Sequence, residues 1–252
     1  MRWSSESRDL LKKPAREMGR SSVVPASVVR ERADRHFIWD VPIRVFHWGL
    51  VVLLCFSWWT EKAGLMDWHR RSGLTLLALL IFRLLWGIFG SSTARFAGFV
   101  KGPRAVIAYL RPGKDGAGAL PPGHNPLGGW SVIALLALLS IQVGTGLFAV
   151  DVDGIESGPL SYLVSFDTGR LFSKLHGYSF NAVLALSALH IAAIAFYLVV
   201  RRRNLIRPMI TGTQAATAEE TADAIAAPAW RSILAIAVAA GIAYWIGSAP
   251  GG

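Results

Sequence analysis

Five long apolar stretches, separated by polar and Gly/Pro-rich segments, dominate the chain. They run over Val45–Thr60, Trp68–Phe89, Leu127–Val150, Leu171–Val200 and Ala229–Ile246. Each approaches or exceeds the roughly 20 residues that an α-helix needs to cross the hydrocarbon core of a bilayer. The pattern therefore predicts an all-α integral membrane protein, with a four-helix bundle as its core and a fifth, C-terminal transmembrane helix.

Polar segments divide this pattern into four parts. Residues 1–36 are basic and lack the apolar core of a secretory signal, so we expect a cytoplasmic, disordered tail. The bundle domain covers residues 37–212. A Thr/Ala/Glu-rich linker over residues 213–228 then leads to the additional transmembrane helix over residues 229–247.

Composition supports the membrane assignment and excludes other classes. The chain is 53% hydrophobic with a mean hydropathy of +0.42, above the usual range of soluble domains. The net charge of +10 is spread between the apolar stretches, so we do not expect nucleic-acid binding. Because Cys55 is the only cysteine, neither a disulfide framework nor a C-x-x-C-H haem attachment is possible.

The charged residues also predict the orientation of the bundle. Cations gather in the N-terminal tail, between the second and third stretches, and after the fourth stretch, in residues 201–207. With alternating crossings these three segments share one face, which the positive-inside rule places in the cytoplasm. The charges therefore predict a multi-pass plasma-membrane protein with a cytoplasmic N-terminus.

Four of the six histidines lie in or at the edges of the predicted spans: His47, His69, His176 and His190. Fourteen residues separate His176 from His190, which on a helix is about 21 Å and only about 40° short of four full turns. Both therefore leave one helix face at two levels. Topology then pairs His176 with His69 near the periplasmic side and His190 with His47 near the cytoplasmic side.

Two imidazoles from different helices fit the axial positions of a haem iron. Zinc would need three or four ligands, including Cys or carboxylate in most sites, and none lies at the right depth. With both axial positions filled, the iron has no open site, which favours electron transfer over oxygen chemistry. The competing interpretation of a lone intramembrane histidine is hydrogen-bonded packing, and His36 and His124 are interpreted as non-ligands.

Four neighbouring residues suit a flat macrocycle. Gly73, one turn after His69, and Gly177, beside His176, could relieve crowding against a porphyrin, although both could serve only helix packing. Arg83 and Arg44 could bind haem propionates, although Arg83 could instead extend to the interface.

Several segments resemble the bacterial cytochrome b-561 family, most closely the cytochrome b subunits of nickel–iron hydrogenase type. They are Trp39–Trp48 (WDVPIRVFHW), Trp68–Gly73 (WHRRSG), Gly123–Gly129 (GHNPLGG), Leu175–His190 and Arg207–Gly212 (RPMITG). The resemblance covers about residues 37–212. It implies a four-helix core with two haems b ligated by His47, His69, His176 and His190.

The resemblance also implies a function. Family members pass electrons between membrane quinone and a periplasmic or membrane partner, such as a hydrogenase or a c-type cytochrome. We therefore expect a di-haem electron carrier that works with quinone; the Gly-rich ends of the third stretch are a plausible quinone site. Two alternatives stay open. One is a superoxide:quinone oxidoreductase that uses Arg70, Arg71, Arg170 and Lys174 to attract the anion. The other is a non-redox metal transporter or membrane anchor.

Overall fold

The computed structural model describes residues 35–110, 124–153, 155–215 and 225–250. Nearly all of the predicted tail lies outside these ranges, as do residues 216–224 of the predicted linker. Residues 36–252 form one compact unit, which contains every helix described below.

Eight α-helices and two short strands occur in the described residues. The helices are α1 (Val41–Lys62), α2 (Met66–Phe89), α3 (Phe96–Phe99), α4 (Pro103–Leu110), α5 (Pro126–Phe148), α6 (Phe166–Val199), α7 (Ile206–Thr211) and α8 (Ala229–Gly247). The strands are β1 (Arg35–Phe37) and β2 (Thr213–Ala215), which form a two-stranded sheet, and Ser161–Leu163 form a 3₁₀ turn. β2 lies within the segment that the sequence assigns to the linker.

Five of these helices are long and apolar enough to cross a membrane: α1, α2, α5, α6 and α8. They coincide with the five apolar stretches, so the prediction of an all-α membrane bundle is confirmed. Helix α1 begins four residues earlier than its apolar stretch, because Asp40 caps it by accepting a hydrogen bond from the Ile43 N–H at 2.8 Å. Asn125 and Ser165 cap α5 and α6 in the same way.

Packing divides the bundle into neighbouring pairs. Helix α6 packs mainly against α5, α1 packs against α2, and α2 also packs against α5 and α8. On α8, Ala235, Ala239 and Ala243 are buried at four-residue spacing, and a Cβ on Gly247 would lie 2.7 Å from Leu74 of α2. Small residues thus let α8 approach α2 closely, as is usual between membrane helices.

The two ends of the bundle are the His176 end and the His190 end, after the histidines of α6 that lie toward them. At the His190 end, the main-chain N–H groups of Ile38 and Trp39 donate to the carbonyl of Gly212. Gly212 has φ +83°, and a Cβ there would lie 2.8 Å from the Trp39 carbonyl oxygen. This turn requires glycine and ties the segment after α6 to the start of α1.

Candidate functional site

His69 of α2 and His176 of α6 face each other at the His176 end. Their ring centroids are 6.1 Å apart and their planes are nearly perpendicular, at 88°. A metal–imidazole bond is about 2 Å long, so two imidazoles that hold one metal ion from opposite sides have centroids about 6 Å apart. The structure therefore brings together the pair that sequence spacing predicts at this level, at a separation that suits a single shared metal ion.

A backbone carbonyl lies within hydrogen-bond distance of Nδ1 in each ring. Nδ1 of His69 lies 2.9 Å from the Ser57 oxygen of α1, and Nδ1 of His176 lies 2.8 Å from the Gln142 oxygen of α5. A carbonyl only accepts, so each Nδ1 donates its proton and each Nε2 keeps a lone pair. Metal-binding histidines are commonly oriented in this way by carbonyl partners. Both rings are thus in the tautomer that can bind a metal through Nε2.

A cavity of about 540 Å³ surrounds the two rings. Its volume is in the range of cofactor pockets, and much of its lining is apolar, with Leu50, Leu76, Leu80 and Leu139 among the lining residues. A Cβ on Gly73 or Gly177, which also line it, would have no neighbour within 4 Å. Both glycines therefore open onto free space beside the histidines, as a bound macrocycle would need.

Two residues of α5 shape the His176 site, and the sequence interpretation missed both. A Cβ on Gly146 would lie 2.9 Å from Cε1 of the His176 ring, so only glycine leaves room for the imidazole. The side-chain nitrogen of Gln142 lies 3.0 Å from Nε2 of His176, and its oxygen accepts a hydrogen bond from Ser179. Gln142 is 7% exposed. Its position as a polar side chain within an apolar stretch was the sequence signal that could have identified Gln142.

Positively and negatively charged side chains both line the cavity. Arg70, Arg170 and Lys62 line it, together with three acidic residues, Glu61, Asp151 and Glu156. Nη2 of Arg70 lies 3.0 Å from Oε2 of Glu156, and Nη1 of Arg170 donates to the Val150 carbonyl at 2.9 Å. The loop that bears Glu156 is joined to α6 at Val150, whose N–H donates to the Gly169 carbonyl.

A second group of histidines lies at the His190 end. His190 of α6 is near enough to His47 of α1 and to His124 to interact with both electrostatically. Within the described residues, no hydrogen-bond partner reaches the buried Nδ1 atoms of His47 and His124. His124 lies between the rings of Trp39 and Phe99, with centroids 4.7 and 4.6 Å away.

His124 is the histidine of this group that lies outside the spanning helices. Burial, with the positive charges of Arg83 and His190, lowers the pKa of His124 to about 4, so its ring is neutral at physiological pH. Beside it, the Asn125 amide donates to the hydroxyls of Tyr109 and Tyr197, which are 2.6 Å apart. Burial, and after it this contact with Tyr197, raises the pKa of Tyr109 to about 12. The network fastens α4 and α6 to the start of α5.

The two arginines proposed from sequence as propionate partners already contact the protein. Nη1 of Arg44 donates to the Ile210 carbonyl at 2.6 Å, while its buried Nε has no hydrogen-bond partner among the described residues. Arg83 is 4% exposed; it donates to the Ala94 carbonyl at 3.2 Å and lies 4.8 Å from the centroid of the Phe96 ring. It does not extend to the interface, which was the alternative for this residue.

Across the part of the chain that the structure describes, no group of three or more His, Cys, Asp or Glu side chains could hold a metal ion. At the His176 end, two histidines from separate helices instead face each other beside a largely apolar cavity. This combination defines a membrane protein that holds an amphipathic metal cofactor such as haem between its helices.

Comparison with protein families agrees with that class. The family model of prokaryotic cytochrome b561 matches residues 38–212, and the chain belongs to this family. Comparisons with curated proteins and with solved structures gave no match. The chain is therefore a multi-pass transmembrane cytochrome b that binds haem b and takes part in electron transport. The matched residues end before α8, which is an addition to the family domain.

Proposed function

We propose that the chain is a di-haem b carrier that passes electrons between membrane quinone and a periplasmic or membrane-bound redox partner. The partner would be a c-type cytochrome or a hydrogenase-like protein. The observation that carries the proposal is the His69–His176 pair, with rings 6.1 Å apart and both Nδ1 atoms held by carbonyls.

At the His176 end, His69 and His176 would hold one haem through its iron. The donor set fits, because neither Nε2 carries a proton and the two rings have the separation of a shared metal ion; the Gln142 amide that contacts Nε2 of His176 would give up this contact to the iron. The cavity beside them and the open space at Gly73 and Gly177 fit the macrocycle. Such a haem would supply a one-electron couple, and the protein would hold it with no open coordination position.

At the His190 end, His47 and His190 would hold the second haem. The two lie on separate helices and interact electrostatically, and the Nδ1 atom of His47 is buried with no partner in the described residues. Nε of Arg44, likewise without one, could bind a propionate. Arg83 would act through its buried charge, which favours the reduced state of a nearby haem because reduction adds negative charge.

The proposed orientation places the His190 end in the cytoplasm of a bacterium and the His176 end in the periplasm, as the distribution of cations predicts. Two haems at these levels would divide the crossing of the inner membrane into shorter electron transfers. The glycine-rich start of α5, with Gly128 and Gly129, lies at the His190 end beside His124 and Asn125. We propose this end as the place where quinone exchanges electrons.

The superoxide alternative depends on free cations at the His176 end. There Arg70 is paired with Glu156, Arg170 donates to a carbonyl, and Arg71 lies 5.4 Å from the Trp68 ring. Of these three cations only Arg70 is paired with a carboxylate, so Arg71, Arg170 and Lys174 keep the charge that the alternative requires. Superoxide consumption coupled to quinone reduction by the purified protein is the assay that separates the two functions.

A redox titration of purified protein with each histidine replaced in turn tests the proposal. Wild-type protein should show two low-spin haems. His69→Ala and His176→Ala should remove the same one, and His47→Ala and His190→Ala the other. His124→Ala is the matched control, a buried histidine outside the proposed ligand set, and should keep both haems. Pairing of His47 with His176, or loss of a haem in His124→Ala, would contradict the assignment.

A further inference from the structure

Arg70 lines the cavity and directly follows the proposed haem ligand His69 in the sequence. Its side chain is 27% exposed, whereas the Lys62 side chain is 67% exposed and pairs with Glu61 at 3.1 Å. The guanidinium of Arg170 is directed to the Val150 carbonyl. Arg70 is therefore a partly buried cation of the cavity lining that the carboxylate of Glu156 holds in place.

The contacts of Arg70 use one edge of its guanidinium. Nη2 contacts Glu156 at 3.0 Å and Asp67 at 3.6 Å. The described residues give no partner to Nη1 or Nε. A guanidinium presents its donors in a planar fork that binds a carboxylate with two parallel hydrogen bonds. Glu156 thus fixes the direction of Arg70 and leaves a second edge for another carboxylate.

The polarity of the cavity limits how an amphipathic macrocycle can lie in it. Its lining combines leucines and valines such as Leu54, Leu80 and Val143 with charged side chains that reach solvent, from 27% exposure at Arg70 to 67% at Lys62. A carboxylate placed against the apolar lining without a partner would be strongly destabilised. The two propionates of a haem would therefore lie toward the charged, solvent-reaching part of the lining, to which Arg70 belongs.

We infer that Arg70 is a propionate-binding residue of the haem at the His176 end and that Glu156 is its positioning residue. This inference rests on the proposed ligation by His69 and His176 and adds a carboxylate subsite to it. Arg70 binds one propionate through its Nε/Nη1 edge, while its bond to Glu156 holds the fork in place.

The test is the rate at which purified holoprotein loses haem to an excess of a haem-scavenging apoprotein. The relevant kinetic phase is the one that is absent from His69→Ala. Arg70→Gln should accelerate this phase on the order of threefold to fivefold, the range expected for a partly exposed ion pair. Arg71→Gln is the matched control, because it removes the same charge from the next residue, which lies against Trp68. It should leave the rate unchanged.

A second arm separates propionate binding from a purely structural ion pair. The protein is refilled with protohaem dimethyl ester, whose propionates carry no charge. If Arg70 binds a propionate, wild type and Arg70→Gln should lose the ester at equal rates. If Arg70→Gln loses both native haem and the ester equally faster than wild type, Arg70 only ties the loop that bears Glu156 to α2, and the inference is wrong. The inference is also wrong if Arg70→Gln does not accelerate the loss of native haem.

The outcomes that would contradict the proposed function differ from those that would contradict the role of Arg70. Wild-type protein with fewer than two haems, or a His69→Ala variant that retains both, would contradict the di-haem assignment itself. Two haems in wild type together with an ineffective Arg70→Gln would overturn the Arg70 assignment alone.

Discussion

Gly146 offers the sharpest test of the His176 site. Replacement by Ala would place a Cβ 2.9 Å from Cε1 and 3.1 Å from Nδ1 of the His176 ring. Carbon atoms in contact normally lie about 3.5–4.0 Å apart, so the ring would have to move by roughly 0.6–1 Å. That displacement would strain the 2.8 Å hydrogen bond from Nδ1 to the Gln142 carbonyl.

We expect Gly146→Ala to weaken haem binding at this end by roughly 10-fold to 100-fold, the usual effect of disturbing the partners that orient a metal ligand. Gly144→Ala is the control: it lies one half-turn earlier on α5, and its added Cβ meets nothing within 4 Å. Both substitutions raise helix propensity equally, so a difference between them measures the contact with His176.

The measurement is haem content per protein combined with a redox titration. Gly146→Ala should lose, or shift in potential, the component that is missing from His69→Ala, while Gly144→Ala should resemble wild type. If both variants keep two haems at unchanged potentials, the His176 ring does not lie against Gly146, and the geometry on which the site is built is wrong.

Three further predictions concern stability, each measured by thermal unfolding in detergent. The lowered pKa of His124 means that the unfolded chain takes up a proton between about pH 6.5 and pH 4 while the folded chain does not. Stability should therefore fall through this window, by about 1–2 kcal/mol at pH 5, and His124→Phe should remove that part of the pH dependence. Gly212→Ala should destabilise the protein more than Gly64→Ala, because both glycines have positive φ but only the Cβ added at residue 212 makes a close contact. Equal losses of stability in the two variants would show that this contact does not matter. Ser179→Ala should cost about 1–3 kcal/mol because the buried oxygen of Gln142 loses its donor, and an unchanged midpoint would contradict that bond.

The fold followed from the sequence because each spanning helix must be apolar over its whole length. The five stretches therefore coincide with α1, α2, α5, α6 and α8. The ends of the helices were less accurate, since they depend on caps such as Asp40 and not on hydrophobicity. The two-stranded sheet depends on pairing between segments more than 170 residues apart, which no local pattern indicates.

The site was predictable where spacing on one helix decided it. The fourteen-residue spacing of His176 and His190, together with topology, predicted that His69 lies opposite His176, and the two rings do lie 6.1 Å apart. Their ligation of a haem stays a prediction. The contacts that orient the two rings could not be predicted from the sequence, because Ser57 and Gln142 act through backbone carbonyls, which every residue has. The role of Gly146 likewise depends on the closeness of α5 and α6, which is a property of the packed bundle.

The single, uninterrupted helix α6 has a consequence for how such a carrier can be controlled. His176 and His190 are both borne by Phe166–Val199, which continues as one α-helix through both levels. A helix has no hinge where its hydrogen bonds continue, so the spacing between the two levels is a constant of the molecule. In the proposed di-haem carrier, the rate of electron exchange between the two haems would therefore be tuned by their relative potentials and by the charges around them, and not by moving one haem toward the other.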